Sequence, residues 1–249
     1  MQPDPAGNAV SKAPLGGRSA VVTGATRGIG RAIAERLLAD GAAVIATGRS
    51  EGGSGPPGSR YAAVSFDEPD SLDAFAATLA RLEPDILVNN AGINKLAPFA
   101  EIDPADFARI QQVNVTAVFR LCQAVVPAMR RRRWGRIVSV TSIWGKVSRT
   151  GRGSYSTSKF ALDGLTAALA AEVAADGVLV NSVAPGFIDT ELTRRVLGVQ
   201  GMQEVAAQVP IRRLGQPSEI AAFVAWLVGP ENTYVSGQNI AIDGGFTRV

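Results

Sequence analysis

The chain contains no histidine, and in 249 residues it has a single cysteine, Cys122. Each absence removes a class of chemistry. Without an imidazole there is no Ser-His-Asp hydrolase, no Cys-His protease and no zinc site of the usual kind, so no metal centre is expected. A lone thiol cannot form an intrachain disulfide and fits a reducing compartment. Inside the apolar run AVFRLCQAVV it reads as a small core residue. Acid–base catalysis is left to Asp, Glu, Lys, Tyr or Cys. Aromatic residues are only 6% of the chain, and 25 Lys+Arg against 22 Asp+Glu give a net charge of +3. With no basic stripe interleaved with aromatics, nucleic acid is not an expected partner. Charge or glycine breaks every apolar run within about 18 residues, so no membrane span is expected. The opening MQPDPAGNAVSKAPLGG lacks the apolar centre of a secretory signal. Residues 1–17 read as a loose tail before a domain spanning 18–249, and the expected location is the cytoplasm.

Hydrophobic residues, at 46%, suffice for a substantial core. Strand-length apolar runs fall at 18–24, 42–48, 61–66, 85–90, 135–142, 177–185 and 237–243. Helix-length amphipathic stretches lie between them, at about 29–40, 70–82, 104–130, 154–175, 190–207 and 217–228. Continuously apolar strands alternating with helices predict an α/β fold: a single doubly wound Rossmann domain with a seven-stranded parallel sheet. One connection departs from the pattern. SEGGSGPPGS, residues 50–59, stands where a parallel crossover usually needs a helix, and it leaves the sheet beneath thinly covered.

Two constellations carry chemistry. The first strand ends in TGATRGIG, residues 23–30, and a helix follows. Gly24, Gly28 and Gly30, with Thr26, Arg27 and Ile29 between them, let the backbone approach a pyrophosphate whose charge meets the helix N-terminus. The second is SYSTSK, residues 154–159, which places Tyr155 and Lys159 four apart on one helix face. A neighbouring cation favours phenolate and lowers a pKa that is normally about 10, making Tyr155 a proton donor near neutral pH. The plain alternative is a solvated helix face.

The spacing G-x-x-x-G-x-G resembles the short-chain dehydrogenase/reductase family, in its 3-ketoacyl reductase and sugar dehydrogenase branch. The likeness runs from about residue 18 to 249 and includes NNAG (89–92), Asn114 in VNV, Ser142 thirteen positions before Tyr155, PGFIDT (185–190) and YVSGQNIAIDGG (234–245). It implies an oxidoreductase moving a hydride between a nicotinamide cofactor and a carbonyl or secondary alcohol. Tyr155 would then supply the proton and Ser142 hold the substrate oxygen. Lys159 would hold the nicotinamide ribose and keep the phenol acidic, while Asn114 would anchor a relay water. Asn90, Ala91 and Gly92 would border the adenine ribose, and Pro185, Gly186, Ile188 and Thr190 would lie along the nicotinamide. A non-enzymatic cofactor-binding scaffold is the contrary reading, and the intact set of four weighs against it.

After the second strand the position of a ribose-binding acid is Gly48, followed by Arg49. Arg49 and Arg27, two cations without an opposing acid, suit a 2′-phosphate, and Gly48 leaves it room; the expected cofactor is NADP(H). Glu51 reaching the ribose is the alternative, which would suit an NAD-dependent sugar or alcohol dehydrogenase. Either Ser65 or Asp67 would meet the adenine. Asn94, Trp144, Lys146 and Phe187 are the expected substrate neighbours, with Trp144 either a flat wall or packing. The substrate, acyl thioester, sugar, polyketide, steroid or another ketone, is left open. Arg130–Arg133 could dock a carrier protein, as in 3-oxoacyl-carrier-protein reductases, but Asp176 stands where a second basic residue is expected. A solvated helix end is therefore the favoured reading. The resemblance also implies a homotetramer through the helices at 104–130 and 154–175.

Overall fold

Seven strands line up in one all-parallel sheet, in the order β3-β2-β1-β4-β5-β6-β7, and the central β1, β4, β5 and β6 are too apolar to leave either face in water. They are β1 Ser19–Val22, β2 Ala43–Gly48, β3 Arg60–Ala63, β4 Ile86–Asn89, β5 Gly135–Val140, β6 Val178–Pro185 and β7 Asn239–Ile242. The computed structural model describes residues 13–249. All seven strands fall where apolar runs predict them. Among the described residues no helix is long and apolar enough to cross a membrane.

Helices α1 (Gly28–Ala39) and α7 (Pro217–Val228) cover one face of the sheet, through Ile33, Leu37, Ile220 and Val224. Helices α2 (Pro69–Leu82), α4 (Ala117–Arg132) and α5 (Gly153–Val173) cover the other, through Leu72, Leu79, Leu121, Val125 and Leu162. The β2–β3 connection has no helix, and β3 is correspondingly open: Arg60 and Ala63 are exposed, Tyr61 and Ala62 half-buried.

Three expectations need correction. Part of the expected loose tail is held: Leu15 is buried in the core against α1, and its N–H donates to the Asp40 carbonyl at 2.8 Å. Residues 1–12 lie outside the described residues. The single helix expected at 104–130 is instead α3 (Pro104–Gln111), a π turn (Gln112–Thr116) and α4. The extra residue of a π turn shifts the helical phase without breaking the apolar pattern, which is why periodicity does not show it. Finally, α6 (Glu191–Gln208) breaks at Gly198, where φ is 64°.

Candidate active site

The strand order reverses between β1 and β4, and a crevice at such a point is where open α/β sheets bind ligands. Here the two strand ends are tied together. Thr23 Oγ1 accepts the backbone N–H groups of Asn90 (2.9 Å) and Ala91 (3.0 Å), and Asn90 Nδ2 donates to the carbonyls of Thr23 (2.9 Å) and Gly24 (3.0 Å). This knot explains two glycines. A Cβ at Gly24, where φ is 63°, would lie 2.9 Å from Ala91 Cα, and one at Gly30 would lie 2.3 Å from Asn90 Nδ2. Helix α1 begins after Arg27 with no side-chain cap and no acid in its first turn. Its first N–H groups are therefore left for an anion. Above them opens a cleft of about 710 Å³, within the range of cofactor sites. Thr26, Arg27, Gly28, Ile29, Asn90 and Gly92 line it, as does Thr190 from the segment after β6. An uncapped helix start under a glycine cradle fits a dinucleotide.

At the far end of the cleft Arg49 does have an opposing acid, contrary to expectation. Asp67 Oδ2 accepts from Arg49 Nη2 (3.2 Å) and from Arg109 Nη2 (2.8 Å), while Oδ1 accepts the Ser65 hydroxyl at 2.9 Å. Of the two candidates after β3, Asp67 thus lines the cleft and Ser65 supports it. Partial burial pushes the Asp67 carboxyl up. The hydrogen bonds from Ser65 and Arg109 and the charge of Arg49 outweigh that and hold it below the usual range. Arg109, from α3, had no local signal: it lies 42 residues from Asp67. Glu51 is exposed and outside the cleft lining. Gly48 is crowded rather than roomy, because a Cβ there would lie 2.5 Å from Thr26 Cγ2 and 2.7 Å from the Tyr61 hydroxyl.

The four-residue set converges beyond the other end of the cleft. Ser142 caps a short 3-10 turn, Ile143–Gly145, its Oγ accepting the Trp144 N–H at 3.2 Å. Lys159 is buried, its Nζ donating to the Val140 carbonyl at 2.9 Å and standing 5.5 Å from the Tyr155 ring centre. Asn114 occupies the π turn, a device often found at functional sites. Its Oδ1 accepts the Ile93 N–H (2.8 Å), and its Nδ2 donates to the Ile93 carbonyl (2.9 Å) and Ser158 Oγ (3.0 Å). A Cβ on Gly92 would come 3.3 Å from Asn114 Oδ1 and 3.6 Å from Lys159 Nζ, so both close around this glycine.

The electrostatics differ from the simple expectation of a cation acidifying its neighbour. Burial pushes the Tyr155 phenol above its ordinary value. What pulls it back is the Ser142 hydrogen bond and then the charge of Arg152, not Lys159. Lys159 is itself pushed down, to about 8, by desolvation. Arg152 was invisible as a site residue because it precedes the helix that carries Tyr155.

Trp144 resolves as packing. It is 6% exposed and meets Phe187 and Phe246 edge-on at 6.0 and 6.1 Å, with the Arg152 guanidinium 5.1 Å from its ring centre. Phe187 is half-buried in that trio, Lys146 half-buried and Asn94 exposed. Pro185 ends β6, the Gly186 N–H donates to the Ile242 carbonyl at 3.0 Å, and Ile188 is buried and bridged to Gly215. These three lie outside the lining of the main cleft.

Comparison with known proteins bears on the family and on the class of reaction. A family model described as enoyl-(acyl carrier protein) reductase matches residues 24–247. A 3-oxoacyl-[acyl-carrier-protein] reductase, FabG, of Vibrio cholerae serotype O1 is 41% identical over 244 residues, which are 94% of this chain and 99% of that protein. A gluconate 5-dehydrogenase from Burkholderia cenocepacia, solved with NADP and tartrate, superposes with a TM-score of 0.86 at 30% identity, covering 96% of this chain and 98% of the other. A 3-oxoacyl (acyl-carrier-protein) reductase from Agrobacterium tumefaciens, solved with NADP bound, gives 0.86 at 30% identity over 94% and 95%. The chain belongs to the short-chain dehydrogenase/reductase family, as an oxidoreductase acting on CH–OH and C=O groups.

Proposed function

We propose that the protein is an NADPH-dependent ketoreductase in which Tyr155 protonates the carbonyl oxygen. The observation that carries this is the placement of Ser142, Tyr155, Lys159 and Asn114 next to a cleft built for a dinucleotide. When bound, the cofactor supplies the hydride. Ser142 holds the substrate oxygen, and its hydroxyl acts on the Tyr155 phenol to favour the ionised form against the pull of burial. Burial keeps Tyr155 protonated, the form that reduction needs. Lys159 lies behind the phenol beside Gly92 and holds the ribose. Both N–H groups of the Asn114 amide are engaged, which leaves one lone pair of Oδ1 for a relay water. Arg49 and Arg109 give the 2′-phosphate two guanidinium groups and Arg27 a third, while Asp67 holds the first two in place.

A free substrate suits the surface better than a carrier-bound one. The basic helix end is partly compensated within the chain: Arg131 and Arg132 share Glu83, and Arg130 and Arg133 share Asp176. The names of the curated relatives favour the second reading, a 3-oxoacyl thioester carried on a protein. Assembly as a homotetramer is supported by Phe107, Phe119 and Phe160, which α3, α4 and α5 leave exposed. The test is absorbance at 340 nm with NADPH or NADH, free ketones, and an acetoacetyl thioester on acyl carrier protein or on a small thiol. We expect NADPH to be preferred at least about tenfold, no advantage for the carrier-bound thioester, and turnover cut by more than tenfold, about 1.4 kcal/mol of barrier, in Tyr155→Phe. Preference for NADH would return the ribose to an acid, and an advantage for the carrier-bound substrate would favour the thioester reading.

A further inference from the structure

Between Ser142 and Tyr155 the chain carries three cations, Lys146, Arg149 and Arg152, and no acidic residue. Elsewhere on this molecule Arg18, Arg31, Arg36, Arg120, Arg194 and Arg213 each hold a carboxylate at 3.2 Å or closer, whereas the exposed Arg60 and Arg195 do not. Among the described residues, Lys146, Arg149 and Arg152 hold none. Of these three, Arg152 stands nearest the catalytic tyrosine, three positions before Tyr155. It is half-buried, its guanidinium lies over the Trp144 ring, and its charge is felt by the Tyr155 hydroxyl. Desolvation acts first against its charged form; the Tyr155 phenol supports that form and the nearby Arg149 opposes it, and no carboxylate of the described residues pairs with it. A guanidinium kept partly dry without a carboxylate is costly unless a ligand brings one. Its backbone also opens α5, which has no side-chain cap and no acid in its first turn, so the surrounding field is positive throughout.

We propose that Arg152 reads a carboxylate on the substrate, so that this enzyme reduces an oxo acid, or oxidises the matching hydroxy acid, rather than a neutral ketone. The inference rests on the ketoreductase reading above and narrows its substrate class. The carboxylate pairs with Arg152 over Trp144, within the field of Arg149, while the carbonyl a few bonds away meets Tyr155 and Ser142. The reaction is unchanged: hydride to the carbonyl carbon, and the Tyr155 proton to its oxygen. Pairing also pins the substrate by the group that does not react, which is how a small molecule is oriented for hydride transfer.

The test compares pyruvate, acetoacetate and levulinate, each beside its ethyl ester, with NADPH at fixed ionic strength. The three acids step the carboxylate away from the carbonyl by one carbon at a time. The wild type should favour the acid over its ester at least about tenfold in kcat/KM at one chain length. Arg152→Gln should bring that ratio to about one through KM, and Arg152→Lys should restore part of it. The ratio is the readout because any effect of Arg152 on the acidity of Tyr155 strikes acid and ester alike and cancels. Retained NADPH binding shows that the variants are folded. Calorimetric titration of the same three anions into the NADPH complex is independent of turnover: binding lost in Arg152→Gln supports the assignment. A wild type that favours the esters at every length, or an acid preference that survives in Arg152→Gln, overturns it, as does a wild type that binds none of the anions. If anions bind through Arg152 while neither acids nor esters are reduced, the ketoreductase reading fails and the anion site stands.

Discussion

Lys159 holds its charge against its surroundings. It is 4% exposed, and burial lowers its pKa from 10.5 to about 8. The unfolded chain therefore binds the extra proton between about pH 8 and 10.5, and folding grows more favourable as pH rises through that window. Below pH 8 the penalty is present in full, roughly 3 kcal/mol at 1.36 kcal/mol per pKa unit. Lys159→Met removes it, at the cost of leaving the Val140 carbonyl without its donor, about 1–2 kcal/mol. We expect the variant to be inactive, yet about 1–2 kcal/mol more stable than wild type at pH 7, with the advantage shrinking towards pH 10. Urea denaturation of both proteins at pH 7, 8.5 and 10 reads this directly. An advantage that stays constant with pH means that Lys159 is not the group titrating. A stable inactive variant would place this lysine among residues retained for chemistry at the expense of the fold.

At the scale of elements, the phosphate loop depends on backbone approach more than on side chains. Gly30 has ordinary helical backbone, but a Cβ there would lie 2.3 Å from Asn90 Nδ2 and 2.4 Å from the Gly24 carbonyl, so the knot between β1 and β4 must open to admit it. Gly52, in the helix-free β2–β3 connection, has nothing within 4 Å of an added Cβ. Gly30→Ala should cost about 1–3 kcal/mol of stability and weaken NADPH binding, whereas Gly52→Ala should change neither; thermal melts and NADPH fluorescence titration measure both. Equal effects would show that the loop is not held by this contact. The same contrast shows what the sequence makes legible. The glycine spacing, the seven strands and the Ser-Tyr-Lys spacing are local, so they survive as patterns: a strand buried on both faces has to be continuously apolar. The π turn that seats Asn114 alters phase and not composition. The Asp67 clamp joins Arg49 just after β2, Asp67 in the segment after β3 and Arg109 on α3, and the missing room at Gly48 belongs to Thr26 and to Tyr61, thirteen positions on. No window along the chain contains those partners together.

For the whole molecule, the sheet explains why the apolar surface ends up where it does. The core-facing stripes of α4 and α5 are used on the sheet through Leu121, Val125, Leu162 and Val173. Yet α4 still shows Phe119 at 49% exposure, α5 shows Phe160 at 46%, and Phe107 on the adjoining α3 stands at 37%. Single exposed hydrophobics are ordinary, but three phenylalanines on neighbouring helices beside the catalytic residues are what a subunit contact would bury. Covering the exposed half of one such ring is worth about 0.7–1.5 kcal/mol, so several of them together contribute to association. A carboxylate at the centre of that contact would be buried without a partner, at a desolvation cost of several kcal/mol. Light scattering behind a sizing column should therefore give the wild type a mass near four times 25.9 kDa, and Phe160→Glu a smaller assembly. Val199→Glu, on the exposed side of α6, should leave the mass unchanged. Because Phe160 directly follows Lys159 on α5, loss of assembly should also weaken activity, restored in part at high protein concentration. A monomeric wild type, or a Phe160→Glu variant of unchanged mass, would assign the exposed rings to some other role.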